Sequence, residues 1–312
     1  MRILILGSSG YIGRHLVSTC QLAKHEVFGV DLVEFSHPIT LGNSFTKMNI
    51  SDTDMLIQHI VSQDIDHVVN VAAKKSVSES FMNSELYFET NNFALERLLN
   101  ELSRTRVVKF IHFSTAAVYG IQSSIVVNEG LTPNPLSPYA NSKQMSEKTI
   151  ENYSKISEIE FFTLRLFNVL GSKMSSLRDL STDNLVPSIL RMHNKNLPAL
   201  IFGNSYETKD GTCVRDFIHV SDVCEAILSL ISLNNMTTNY KILNLGSGEG
   251  HSVLEVLEEI SRELGVAVKY DFAPPRIGDI PAIISDNREI QSLINFRAKL
   301  NLRDMIESSI YH

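Results

Sequence analysis

The chain has 312 residues, 43% hydrophobic and 20% charged, enough for one large domain or two ordinary ones around an ample core. A formal net charge of −7 opposes broad nucleic-acid binding, for which a basic face is expected. Three sparse cysteines (Cys20, Cys213 and Cys224) lack metal-ligand spacing and suit a reducing cytosol better than a disulfide framework. The apolar opening ends at Gly7, too early for a signal peptide or membrane span, so a soluble cytoplasmic protein is expected.

Residues 3–6 form a short apolar run ending at glycine, the pattern of a buried parallel strand. A helical pattern covers residues 11–22, and 27–30 reads as a second strand ending at Asp31. Further buried strands are predicted at 67–71 and 108–113, separated by a long helical stretch over 84–103. A helix over 137–154 and a strand over 160–166 continue the alternation, which implies an α/β fold with a doubly wound, Rossmann-like parallel sheet. After Asn168 the regularity breaks down. Residues 169–216 are rich in Asn, Ser, Gly and Pro, with one short helix near 186–193. A brief strand at 217–220, a helix at 222–233, a strand at 241–245 and a helix at 253–264 follow. The expected division is a sheet domain of 1–168, to which 217–245 returns, and a smaller irregular α+β lobe of 169–216 and 246–312.

Gly7-Ser8-Ser9-Gly10-Tyr11-Ile12-Gly13 follows a strand and opens a helix, the context that raises a glycine pattern above chance. Small residues there let the backbone approach a pyrophosphate at the helix amino terminus, although the spacing is G-x-x-G-x-x-G. Asp31 ends the second strand where a carboxylate would bond an adenosine ribose, or it simply caps a helix. Leu32, Val33 and Glu34 follow with no cation for a 2′-phosphate, so NAD is favoured over NADP.

Tyr139 and Lys143 stand at i and i+4 and share a helix face, so an ammonium can act on a phenol. A free phenol has a pKa of about 10; a nearby cation that lowers it by ~3 units supplies roughly 4 kcal/mol and creates a proton acceptor. Ser114 and Thr115 leave the strand of 108–113 at its carboxyl end, where open α/β sheets bind ligands. Together with Val118-Tyr119-Gly120, these residues resemble the extended short-chain dehydrogenase/reductases, in particular the UDP-glucose 4-epimerases. The resemblance implies that the catalytic set is Thr115, Tyr139 and Lys143, with Ser114 as the less favoured hydroxyl.

The resemblance covers nearly the whole chain and implies further contacts. Gly7, Gly10, Tyr11, Ile12, Gly13 and Asp31 match its NAD loop, and Asn49-Ile50 matches an adenine-proximal Asp-Ile with Asn in place of Asp. Ala72 and Lys75 lie in the segment after the fourth strand, where Lys74 is the alternative cation. Asn91 matches an asparagine of the long helix, or is a helix-surface polar residue. Arg165-Leu166-Phe167-Asn168 resembles the segment under the nicotinamide, with Leu166 for the family tyrosine and Val169 for its proline; Phe167, Tyr139 and Lys143 are the implied cofactor contacts there.

On the substrate side, Ile201-Phe202-Gly203-Asn204 and Asp210 to Val220 read almost residue for residue like the 4-epimerase signature. Phe202 offers a ring for a flat base and Arg215 a fixed cation for phosphate. The resemblance adds Asn168, Asn184, Leu185, a second phosphate arginine, Arg276, and a uridine-ribose carboxylate, Asp279, to Thr115 and Tyr139 as substrate contacts. Asp216 and His219 read as structural residues at the lobe junction, and Asp222 as a helix cap.

The activity implied is epimerisation at C4 of a UDP-hexose, with NAD as a transient hydride store and a 4-keto sugar that presents its other face before reduction. A 4,6-dehydratase would carry Asp-Glu after the catalytic threonine, where this chain has Ala116-Ala117. A UDP-uronate epimerase, a nucleotide-sugar reductase and a non-catalytic NAD-binding sensor are the competing readings. Ile283 matches the position that gates an N-acetyl group, and its intermediate size leaves UDP-glucose/galactose and their N-acetyl forms both open. The helices of 84–103 and 137–154 match those that pair subunits in relatives, which implies a homodimer by analogy.

Overall fold

A computed structural model describes residues 1–34, 44–234 and 236–311, which fall into two compact units. The first unit comprises 1–118, 135–165 and 224–243 and is built on a seven-stranded sheet. Its strands are β1 (Arg2–Leu6), β2 (Glu26–Asp31), β3 (Phe45–Lys47), β4 (His67–Asn70), β5 (Lys109–Thr115), β7 (Glu160–Leu166) and β11 (Tyr240–Leu245). Its helices are α1 (Tyr11–Leu22), α2 (Thr53–Ser62), α3 (Val77–Met82), α4 (Ser84–Phe88), α5 (Ala94–Leu102), α6 (Pro138–Ser154) and α8 (Val220–Ser232), the last beginning in the second unit.

The strand order is β11-β7-β5-β4-β1-β2-β3, and β1 pairs in parallel with both β2 and β4. The order reverses on either side of β1, so the loops after β1 and β4 flank the crevice where doubly wound sheets take ligands. Leu4, Leu6, Val30, Val68 and Phe110 on the sheet pack with Leu95, Leu98 and Leu99 of α5 and Ile150 of α6 in one buried cluster. The buried strands carry near-continuous apolar runs because helices cover both faces of such a sheet.

The predicted long helix over 84–103 is helical without a gap from Ser84 to Leu102, but its winding changes midway. A π-helical turn at Glu89–Phe93 separates α4 from α5. Its wider winding turns Asn91 inward, where the side chain binds the chain after β4 as well as α6.

The second unit comprises 119–134, 166–223 and 244–312. It holds β6 (Val126–Val127), β8 (Asn168–Leu170), β9 (Ala199–Phe202), β10 (Val214–His219), β12 (Gly250–Ser252), β13 (Tyr270–Ala273) and β14 (Ala282–Ser285). Its helices are α7 (Leu185–Asn194), α9 (Val253–Leu264), α10 (Arg288–Ile294) and α11 (Leu302–Tyr311). A mixed sheet runs β12-β10-β14-β6 with β8 also on β10, and β13 pairs with β9. α9 begins with a reciprocal Ser252–Glu255 capping box and ends at Gly265 with φ of 67°, the left-handed stop that favours glycine.

The division therefore differs from one cut at residue 168: residues 119–134 and 217–223 fall in the second unit, because β6 joins β14 and β10 is central to that sheet. Asp216 is fully buried there and accepts hydrogen bonds from the backbone and hydroxyls of Ser247 and Ser285 and from the Gly248 amide. His219 meets Ser308 Oγ at 3.0 Å and accepts from the Ser221 amide. Asp222 is not a helix cap: it lies in the first turn of α8, where its carboxylate accepts from the Lys299 and Leu300 amides.

Candidate active and cofactor sites

The loop after β1 is shaped by close backbone approach. Gly7 has φ of 85°, and a Cβ there would lie 2.8 Å from Ala72 Cα. A Cβ on Gly13 would lie 2.1 Å from the Gly7 carbonyl oxygen. α1 begins at Gly10 with no side-chain cap, so its first amides and dipole are left for an anion. The buried Ser8 hydroxyl beside them has no hydrogen-bond partner among the described residues. Asp31 holds the loop from the end of β2, accepting from the Ser9 amide at 2.9 Å and the Leu32 amide at 2.7 Å. Uncapped amides, an orphan hydroxyl and a carboxylate at the strand end fit a dinucleotide. Gly13→Ala is expected to disrupt this loop by about 1–3 kcal/mol of overpacking and to abolish nucleotide retention through gel filtration.

The other implied cofactor residues divide by their surroundings. Tyr11 and Ile12 are half-buried at the start of α1. Lys74 pairs with Glu79 at 3.5 Å, whereas Lys75 is exposed. Asn91 is not a surface residue: it is 2% exposed, its oxygen accepts from the Lys74 amide and its nitrogen donates to Lys74 O and Ser142 Oγ. Its amide thus sets the loop that carries Ala72 and Lys75. Asn49 is exposed, accepting from the Ser51 amide, while Ile50 packs against the core of the first unit.

Ser137 caps α6 by accepting from the Ala140 amide at 3.2 Å, and Pro138 starts the helix with a preset φ. That fixes Tyr139 in the first turn and Lys143 one turn later. The Tyr139 ring meets Tyr87 edge-on at 6.3 Å, and its phenol hydrogen-bonds with Thr115 at the end of β5. Ser114 is buried and donates to Glu147 Oε1, which turns its hydroxyl proton away from the phenol. Glu147, one turn beyond Lys143, binds Arg165 bidentately at 3.0 and 2.7 Å, and both side chains are buried. The stripe Tyr139, Lys143, Glu147 recurs every four residues, a sequence signal that the pair alone did not exploit.

The electrostatics of the pair differ from the sequence expectation. Burial pushes the Tyr139 phenol up, against the hydrogen bond with Thr115. Burial also lowers Lys143 to about 7, partly offset by the Glu147 charge. The protein alone therefore does not produce the expected drop in the phenol pKa: desolvation disfavours the charged form of both groups.

In the second unit, Arg215 is half-buried, donating to the Val214 and Ile280 carbonyls and lying 3.7 Å from Asp279. Arg276 is exposed, with its guanidinium 3.9 Å from the centre of the Phe202 ring. One face of the ring expected to stack on a base thus carries a cation, an arrangement favoured by the ring quadrupole. Asn184 precedes α7 and donates to Asp179, and Leu185 packs on the core. Asn168 is exposed at the start of β8, in register with Phe217 of β10, and Phe167 is buried beside it. Ile283 is buried in β14, in register with Arg215.

Residues 3–246 match the sequence profile of the NAD dependent epimerase/dehydratase family. The chain belongs to this family. Its relatives include a UDP-glucose 4-epimerase of Yersinia enterocolitica, 33% identical over 328 residues, spanning 99% of this chain and 96% of the relative. Among solved structures, a UDP-glucose 4-epimerase from Stenotrophomonas maltophila with bound NAD and formylated UDP-arabinopyranose superposes with a TM-score of 0.92 at 30% identity, covering 99% of this chain and 96% of the other. The UDP-Glc/GlcNAc 4-epimerase of Campylobacter jejuni superposes with a TM-score of 0.82 at 32% identity, covering 99% and 97%. The expected doubly wound fold is thus the fold of the epimerase family.

Proposed function

We propose that the protein is an NAD-dependent 4-epimerase of a UDP-hexose. The observation that carries this reading is the Tyr139 phenol at the start of α6 meeting Thr115 at the end of β5, with Lys143 one helical turn along. Bound NAD supplies reversible hydride exchange at the sugar C4 and a pyridinium charge that favours phenolate. Tyr139 takes the 4-hydroxyl proton and later returns it, Thr115 orients that hydroxyl, and Lys143 as ammonium stabilises the phenolate. Arg215, Arg276, Asp279 and Phe202 offer the charges and ring that a uridine diphosphate handle needs, and Asn168, Asn184 and Leu185 complete the proposed contacts. Opening of the Arg215–Asp279 and Arg276–Phe202 contacts is part of nucleotide binding in this reading.

The test is direct. Denatured protein should release NAD, and the native protein should interconvert UDP-galactose and UDP-glucose, the N-acetyl pair, or both. NAD release without turnover of any UDP-sugar would favour the sensor reading instead.

A homodimer is part of the same proposal. Phe81 and Met82 of α3, Leu86 of α4, Phe93 of the π turn and Met145 of α6 are exposed, Met82 at 78%. Exposed apolar side chains on adjacent helices suit a subunit interface. Light scattering is expected to give twice the chain mass at micromolar concentration, and a monomer would dismiss the dimer. No helix among the described residues is long and apolar enough to cross a membrane, and we place the enzyme in the cytoplasm with its nucleotide-sugar substrates.

A further inference from the structure

His112 lies on β5, three residues before Thr115, and its side chain is 1% exposed. Its Nε2 is 3.4 Å from Lys143 Nζ and 3.0 Å from Ser146 Oγ, both on α6. Its Nδ1 is 3.3 Å from the side-chain amide of Asn70 on β4. The imidazole thus fills the space between two strands and the helix that carries the tyrosine–lysine pair, and the mechanism above gives it no task.

Burial and the Lys143 charge hold His112 well below the usual histidine range, so the ring is neutral wherever the enzyme would work. Two bases this close in a dry site do not both carry a proton's charge. An ammonium has only donors, so a hydrogen bond with Nε2 requires a lone pair there and a proton on Nδ1. Asn70 accommodates that tautomer: its Oδ1 is buried without a partner among the described residues, and exchanging the two ends of the amide lets Oδ1 accept from Nδ1–H. The Ser146 hydroxyl donates to the Lys143 carbonyl at 2.7 Å, which leaves the Nε2 lone pair to Lys143. Glu147, whose charge also acts on Lys143, is bound by Arg165.

We propose that His112 is a positioning residue whose neutral imidazole accepts a hydrogen bond from the Lys143 ammonium and keeps that ammonium charged on the Tyr139 face of α6. This rests on the 4-epimerase reading for its purpose. Its geometry, from Asn70 through His112 to Lys143, stands without that reading. Burial alone drives the Lys143 proton off, and an acceptor in the same dry site opposes the loss.

The experiment compares wild type, His112→Leu and His112→Gln by NMR titration of isotope-labelled lysine side chains, with the Lys143 signal assigned by its loss in Lys143→Met. Leucine removes the acceptor, whereas glutamine keeps one and cannot be protonated. In His112→Leu the Lys143 amine should titrate about one pH unit lower, a tenfold loss of ammonium equivalent to about 1.4 kcal/mol. The alkaline limb of the turnover profile should move down with it. His112→Gln should match wild type in both. An unchanged Lys143 titration in His112→Leu, or the same shift in His112→Gln, would overturn the proposal. His112→Phe reads the same way should the leucine variant fail to fold. Because the titration needs no turnover, it judges His112 even in a protein that epimerises nothing, whereas wild-type inactivity would count only against the proposed function.

Discussion

Tyr139→Phe is expected to lower epimerisation at least a hundredfold while leaving far-ultraviolet circular dichroism and thermal midpoint near wild type. The variant removes one hydroxyl, whose hydrogen bond is with Thr115, and keeps the ring that meets Tyr87 edge-on. A positioned general base typically contributes about 10²–10⁴ in rate. Ser114, the nearest alternative, already donates to Glu147. Steady-state turnover on the preferred UDP-sugar checks this. Near-native epimerisation by the variant would refute the assignment of Tyr139.

Arg165→Met should be the most destabilising single change near the site, by about 3–5 kcal/mol, because it strands the Glu147 carboxylate in a dry interior. The two side chains are 3% and 4% exposed and joined by two hydrogen bonds. The urea midpoint of the variant reads the loss. Adding Glu147→Leu removes the stranded charge and should recover most of it, since an apolar pair can replace a buried ion pair at little cost. A loss below about 1 kcal/mol in the single variant would mean that water or another group reaches Glu147. The coupling also bears on catalysis: Glu147 receives the Ser114 hydroxyl and supports the Lys143 charge, so the variant should be slow as well as unstable.

The tyrosine–lysine spacing and the glycine loop were legible because each is local. Tyr139 and Lys143 are four residues apart on one helix, and a Ser-Pro cap announces where that helix starts. Gly7 to Gly13 joins one strand to one helix, and α1 begins and ends where the pattern of the sequence places it. Local signals also had local failures. The pattern over 84–103 is helical throughout, but the π turn answers to what Asn91 must reach, the chain after β4 and Ser142, neither of which is near it in sequence. Asp222 reads as a cap by position, yet its carboxylate is taken by backbone 77 residues away.

What the sequence alone determined is the alternation that makes a doubly wound sheet and the spacing that puts a phenol and an amine on one helix face, because strand and helix periods are properties of short segments. Only the tertiary structure decided that the Ser114 hydroxyl donates to Glu147, that Arg276 lies on Phe202, and that His112 stands against Lys143. It also decided the charge states, pushing the Tyr139 phenol up and drawing Lys143 to about 7. The reason is physical: hydrogen bonds between distant segments and the removal of water from a charge exist only once the chain has folded.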